Sequence, residues 1–176
     1  MAWQTRLTPD LARFIAGRDH FYMGTASAGG RPYIQHRGGP KGFLKVVGER
    51  TLGFADFAGN QQYVTLGHLA ENPQAFLFLI DYPERRRIKI RGQARAVTDD
   101  PALARSLGET AYRGRVERAI LFDIDEWDVN CPSHILPRWD AAALTPAFGR
   151  LEARIRALEQ QVRDFGGDPG EFEMPE

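Results

Sequence analysis

One cysteine, Cys131, stands among the 176 residues, so no disulfide can form within the chain. That usage suits a reducing compartment. Long hydrophobic runs are missing too. No stretch approaches the ~20 apolar residues that span a bilayer. The opening MAWQTRLTPDLARF has no apolar core of signal-peptide length, so the expectation is a cytoplasmic protein with no membrane partner. Charge of one sign is not in excess: 23 Lys and Arg balance 23 Asp and Glu. A nucleic-acid partner is disfavoured by that balance. The short basic run Arg85-Arg86-Arg87 abuts Ile88-Lys89-Ile90 and reads as the start of a strand. No Gly-Lys-Ser/Thr phosphate loop occurs, which argues against nucleoside triphosphate chemistry. Cys131 and His134 have the spacing of half a zinc site, but no second ligand pair exists, so no metal is expected. The same pair is a poor nucleophile and base, because sequence neighbours rarely meet in the required geometry.

What is present is strand-forming sequence. HFYMGTAS and RPYIQHRG flank Ala28-Gly29-Gly30, a hairpin pattern. GFLKVV and TLGFADF make a second pair, turned at Gly48-Glu49-Arg50. QAFLFLID is nearly all apolar and reads as a central strand. RRRIKIRGQARAVT and RAILFDIDEWDV follow as long strands. Helices open at Thr8-Pro9-Asp10 and at Asp100-Pro101. A third is expected over Asn60 to Asn72, and a last one from Thr145-Pro146. The last carries Leu151, Ile155, Leu158, Val162 and Phe165 at alternating spacings of four and three. That is a coiled-coil seam of about two heptads, which needs a partner surface. Antiparallel hairpins with few helices imply a small β-barrel or sandwich, not a doubly wound dinucleotide fold.

The candidate site residues cluster in PYIQHRGGPKGFLKVVGERTLGFADFAGNQQYVTLGHLAENP, residues 32–73. Gln35 and Arg37 share one strand face, and an amide beside a guanidinium can bind ring carbonyls or a phosphate. The plainer reading is a solvated face. Gly38 and Gly39 would let an aromatic ring approach. Lys41 reads as a turn-tip cation. A helix opening at Gly59-Asn60-Gln61-Gln62 would aim its free N–H groups at an anion, or Asn60 would simply cap it. Asp56, between aromatic residues, is either a buried acid or, more commonly, an acceptor of local backbone bonds. Arg87 alternates with buried isoleucines and gains interest only beside the Arg37 strand.

Together YIQHRGGPKGFLKV (33–46), GFADFAGNQQYVTLGHLAENP (53–73), RRRIKIRGQA (85–94) and NCPSHILPR (130–138) resemble the pyridoxamine phosphate oxidase-like, FMN-binding split-barrel flavoproteins. The resemblance runs from about Asp19 to Trp139. It implies a mainly β fold: a six-stranded antiparallel split β-barrel with flanking short helices and a C-terminal helix. It implies a homodimer holding FMN between subunits, and an oxidoreductase taking a small-molecule substrate or electron donor. By position it would put Gln35, Arg37, Lys41, Asn60, Gln61, Gln62 and Arg87 at the cofactor. Asn130, Pro132 and His134 would lie near the flavin edge, with His134 the candidate proton donor. Many relatives carry Arg-Lys where this chain has Gln61-Gln62, so other cations must meet the phosphate. The organisation expected is a barrel domain over 1–140, an amphipathic helix over 141–166 and an acidic mobile tail over 167–176. The rival readings are a non-enzymatic flavin- or haem-binding protein, with His36, His68 or His134 as axial ligand, and a deazaflavin reductase.

Overall fold

In the computed structural model, residues 3–59, 61–108 and 112–170 are described. The chain divides into two compact units, Met1–Leu136 and Pro137–Glu176.

The first unit is one antiparallel sheet of seven strands with three short helices. The strands are β1 (His20–Ala26), β2 (Pro32–Gly38), β3 (Lys45–Val46), β4 (Thr51–Phe57), β5 (Gln74–Asp81), β6 (Arg86–Val97) and β7 (Val116–Asn130). Their order in the sheet is β2-β1-β5-β6-β7-β4-β3. All the expected strand pairs form, and β5 lies in the sheet interior. The count exceeds the expected six because the hairpin before β4 leaves a two-residue strand at the sheet edge.

Alternation explains which face is buried. Phe21 and Met23 of β1, Leu77 and Leu79 of β5, and Ile88 and Ile90 of β6 all point to one side and are fully buried. Phe21 stacks on Phe43 at 5.5 Å between ring centroids and meets the edge of Phe54 at 5.2 Å. Helix α1 (Pro9–Ala16) starts as its sequence predicts: the Thr8 hydroxyl accepts the Leu11 N–H at 3.2 Å. It buries Leu11, Phe14 and Ile15 against this core. Helix α3 (Pro101–Leu107) is capped in the same way by Asp100.

No ladder joins the two sheet edges among the described residues. Side chains do so instead. Arg37 of edge strand β2 reaches Asp56 of β4, five places away in the sheet order. The sheet therefore curls until β2 and β4 face each other across the core.

β7 carries a bulge. Arg91 pairs with Glu126 and Gly92 with Ile124, so Asp125 is the extra residue. Arg50 satisfies the carbonyls that the ladder gives up: it donates to Ile124 O at 2.6 and 3.0 Å and to Asp125 O at 3.1 Å. The bulge falls just past the last β4–β7 pair, Thr51 with Asp123. Beyond it β7 keeps its ladder with β6, takes a single antiparallel bridge from Gln4 at Trp127, and delivers Asn130 opposite Arg87.

Helix α2 (Val64–Glu71) begins later than its sequence predicts. Gln61 and Tyr63 take left-handed backbone angles, φ 59° and 47°, and a helix cannot run back through them.

The second unit holds helix α4 (Ala141–Asp164). It opens at Ala141, the first residue of the amphipathic segment of 141–166 and four residues before Thr145, and Asp140 caps it by accepting the Ala143 N–H at 2.6 Å. Pro146 lies inside the helix, where it removes one backbone bond. Gly166 ends it with φ 80°; its N–H bonds Arg163 O at 2.9 Å, and the Gly167 N–H bonds Val162 O at 2.9 Å. This double closure is the Schellman arrangement. Residues 167–170 of the expected tail have no regular structure, and 171–176 lie outside the described residues. No helix among the described residues is long and apolar enough to cross a membrane.

Candidate functional site

A small cleft opens where β2 meets β4. It is lined by Gln35 and Arg37 from β2, Asp56 and Phe57 from β4, Gln61 and Gln62 from the loop, and Thr65 from α2. Four of the sequence-predicted site residues therefore converge. The strand alternation is the cause: Gln35 and Arg37 lie opposite Met23 and Phe21, on the core side of the sheet.

Asp56 is the centre of the charge arrangement. Arg37 Nη1 donates to its Oδ1 at 2.5 Å, and Arg118 Nε lies 3.5 Å from its Oδ2. Arg118 also donates to Glu117 at 2.7 Å, and its guanidinium sits over the Tyr63 ring at 5.0 Å. The commoner expectation for Asp56 is overturned: it is buried and held between two guanidiniums, not by local backbone. Burial pushes its carboxyl above the ordinary aspartate value, and outweighs the downward pull of Arg37 and Arg118.

Two features leave the cleft receptive to an anion. Helix α2 has no side-chain cap from its N-cap residue Tyr63 among the described residues, and Thr65 and Leu66 of its first turn line the cleft. Arg37 Nε is buried with no hydrogen-bond partner among the described residues. Gln35 is fixed by Thr65, whose hydroxyl donates to Gln35 Oε1 at 2.7 Å. Gly39 does not wait for a ligand ring. A side chain there would meet Phe43 at 2.8 Å, so its smallness serves the core.

Arg87, Asn130, Pro132 and His134 form a second group. Arg87 lies opposite Asn130 and Ile80. Its strand is separated from the Arg37 strand by β1 and β5, and the register puts it on the other face of the sheet. Its guanidinium donates to Cys131 O at 3.1 Å, and Arg85 reaches Pro132 O at 3.4 Å. Two arginines thus hold the loop that carries His134, which has φ 63°. Replacing Arg87 with Leu should speed amide hydrogen exchange over 131–135 by about tenfold, the loss of roughly one hydrogen bond to a charged donor. Unchanged exchange there would show the loop is held by other contacts. Cys131 is exposed; its thiol bonds to Ser133 Oγ at 3.0 Å and accepts the Ser133 N–H at 3.4 Å, and this hydrogen bonding with Ser133 lowers its thiol pKa.

Lys41 sits exposed in the turn after β2 and does not line the cleft. Asn60 lies outside the described residues. Sequence reasoning missed Arg118, Glu117, Tyr63 and Thr65. Among the described residues no group of three or more His, Cys, Asp or Glu could hold a metal.

The sequence profile of the Pyridoxamine 5'-phosphate oxidase family matches residues 7–131. No curated protein sequence matches the chain. Among solved structures, HupZ of Group A Streptococcus is 14% identical with a TM-score of 0.57, covering 70% of this chain and 93% of that one. A candidate pyridoxamine 5'-phosphate oxidase from Lactobacillus delbrueckii is 16% identical with a TM-score of 0.53, covering 71% and 99%. An FMN-binding protein from Syntrophomonas wolfei is 16% identical with a TM-score of 0.51, covering 68% and 84%. At these identities the likeness is one of fold.

Proposed function

The chain belongs to the pyridoxamine 5'-phosphate oxidase family, and from that premise we propose that it is an FMN-binding flavoprotein, an oxidoreductase that works as a homodimer with flavin between two copies. The curled sheet is then that family's six-stranded split barrel, with β3 as a short addition at its edge. The observation that carries the reading is the pairing, at one cleft, of a helix start that lacks a side-chain cap with a buried guanidinium nitrogen that lacks a hydrogen-bond partner, both among the described residues. A phosphate monoester meets both needs: it accepts from backbone N–H groups and from Arg37.

The size of the cleft supports the shared site. It holds about 40 Å³, and an adjoining depression lined by His36, Gly38 and Phe43 holds about 170 Å³. Sites that enclose a small molecule are usually ~300–1,000 Å³. One copy would grip the phosphate end and leave the ring to be covered by the other. Arg87, Asn130, Pro132 and His134, on the opposite face, would be the partner's contribution. Lys41 and Asn60 belong to the proposal by position alone.

Bound flavin would supply the two-electron chemistry. Gln35, held by Thr65, would orient the ring edge by its amide. Arg37 and the α2 N–H groups would fix the phosphate. His134 is the proposed proton donor at the ring edge. The charges immediately around Asp56 cancel, with Arg37 and Arg118 against Asp56 and Glu117, so phosphate affinity would rest on directed hydrogen bonds from Arg37 Nε, backbone groups and amides, not on net charge.

The visible spectrum of the purified protein tests this directly. Two flavin bands and release of FMN on denaturation are expected. A Soret band would move the assignment to haem, and a colourless protein that takes up no FMN would remove it. Specificity for the phosphate can be read separately. Gln62→Glu should weaken FMN about tenfold, the order of one charge-assisted contact, and leave riboflavin nearly unchanged. Equal loss for both ligands would mean that Gln62 does not face the phosphate.

A further inference from the structure

We propose that α4 pairs with α4 of a second copy as a parallel, two-stranded coiled coil. The helix begins at Ala141, and this lengthens the apolar seam seen in the sequence. Leu144, Phe148, Leu151, Ile155, Leu158, Val162 and Phe165 now form one line with alternating spacings of four and three. Every one of them is exposed, from 38% at Leu144 to 91% at Phe165. No residue of α4 is buried. Seven large apolar side chains on one stripe of a charged helix need a partner.

The seam specifies the partner. A repeat of seven fits the a and d positions of a supercoiled pair, with Phe148, Ile155 and Val162 at a and Leu144, Leu151, Leu158 and Phe165 at d. Ile and Val at a with Leu at d is the combination that favours two parallel strands. The flanking positions agree. Arg154 falls at g and Glu159 at the following e, so in a parallel pair each Arg154 meets Glu159 of the second copy, twice by symmetry. Residues that would spoil the seam lie off it: Pro146 falls at f and Gly149 at b, both facing away. Arg150, Arg156 and Arg163 also sit on the outer positions, and Arg156 is engaged there with Glu152 at 3.4 Å. The ends are prepared as well, by the Asp140 cap and the Gly166 closure. Three heptads form a short coil, of the length that needs a second association to persist. The pairing does not depend on flavin, and a colourless protein would show it equally.

Disulfide trapping in the full chain tests both pairing and direction. In a Cys131→Ser background, Leu151→Cys and Leu158→Cys are made as separate variants, with Ala153→Cys, at outer position f, as control. Facing d positions in a parallel pair stand within the ~4.4–6.8 Å Cα separation of a disulfide. Both d variants should convert to covalent dimer in a glutathione redox buffer, at least tenfold more completely than the control. An antiparallel pair would trap at most one of the two, and a helix engaged elsewhere would trap neither. Either result overturns the proposal, as would equal trapping at Ala153→Cys.

Discussion

Asp56→Ala should lower the melting temperature by roughly 6–20 °C, whereas Asp56→Asn should leave it nearly unchanged. The first figure follows from about 3–5 kcal/mol for removing one partner of a buried ion pair, at ~2–4 °C per kcal/mol in a chain of this size. Asp56 is 6% exposed, and the Arg37 and Arg118 side chains are 13% and 17% exposed. Alanine would orphan two guanidiniums in a site with little water. It would also cut the tie between β2 and β4, which no ladder replaces among the described residues.

Asparagine differs because it keeps an acceptor oxygen for the Arg37 bond and gives up only the longer contact, 3.5 Å, with Arg118. The raised carboxyl pKa says that ionisation of Asp56 is not favoured by the fold. The sign follows. In the window between the ordinary aspartate value and the raised folded value, the folded state holds a proton that the unfolded state has lost. Wild-type stability should therefore fall as pH rises through that window, and the fall should be absent in Asp56→Asn. With the negative charge gone, the same variant should bind FMN about tenfold more tightly, the order of one unit charge acting at short range in a partly buried site. Calorimetric melts from pH 3 to 7 and a flavin titration decide the matter. An Asn variant as unstable as the Ala variant would show that the charge itself holds the pair together.

How much of this could be read before the structure is clear from particular strands. The hairpins, the Thr8 and Asp100 caps and the central β5 were legible because each rests on a local rule: alternation, a capping side chain, a turn glycine. The Asp56–Arg118 pair was legible in principle. Arg118 continues the core parity of Ile120, Phe122 and Ile124, and Asp56 continues that of Leu52 and Phe54. Opposite charges that take core positions at the ends of two strands are the signal, but it becomes one only when the two strands are known to be neighbours. The late start of α2 had no such signal. Left-handed backbone usually announces itself by glycine, and here Gln61 and Tyr63 adopt it. For α4 the sequence offered two start signals, the amphipathic segment from 141 and Thr145-Pro146, and the Asp140 cap selects the first. The placing of Arg87 on the other face from Arg37 depends on two intervening strands whose order no local pattern fixes.

Gly92→Ala should be the most damaging single methyl in the sheet. A Cβ there would stand 2.0 Å from Asp123 O and 2.8 Å from the Phe122 ring. The carbonyl is backbone and cannot swing aside like a side chain, so β6 and β7 must separate. The close approach exists because of the bulge. Asp125 is extra, the strand bends, and the parity of the buried residues shifts from Phe122 and Ile124 to Trp127 and Val129. That shift is written in the sequence as FDIDEWDV, where the alternation skips one place. Arg50 then caps the bent backbone, and the remainder of β7 carries Asn130 to Arg87. A loss of about 4 kcal/mol is expected, at the upper end for single substitutions, with a melting point at least ~8 °C lower. Arg50→Met should cost less, about 2 kcal/mol, because it strips donors from two carbonyls without a clash. The damage should also travel along β7. Amide exchange should quicken at 124–130 in both variants, while the Thr8-capped helix α1 keeps its protection until the sheet melts. If Gly92→Ala melts within ~2 °C of wild type, β6 and β7 are farther apart than the structure places them, and the hold of Arg87 on the 131–134 loop loses its geometric basis.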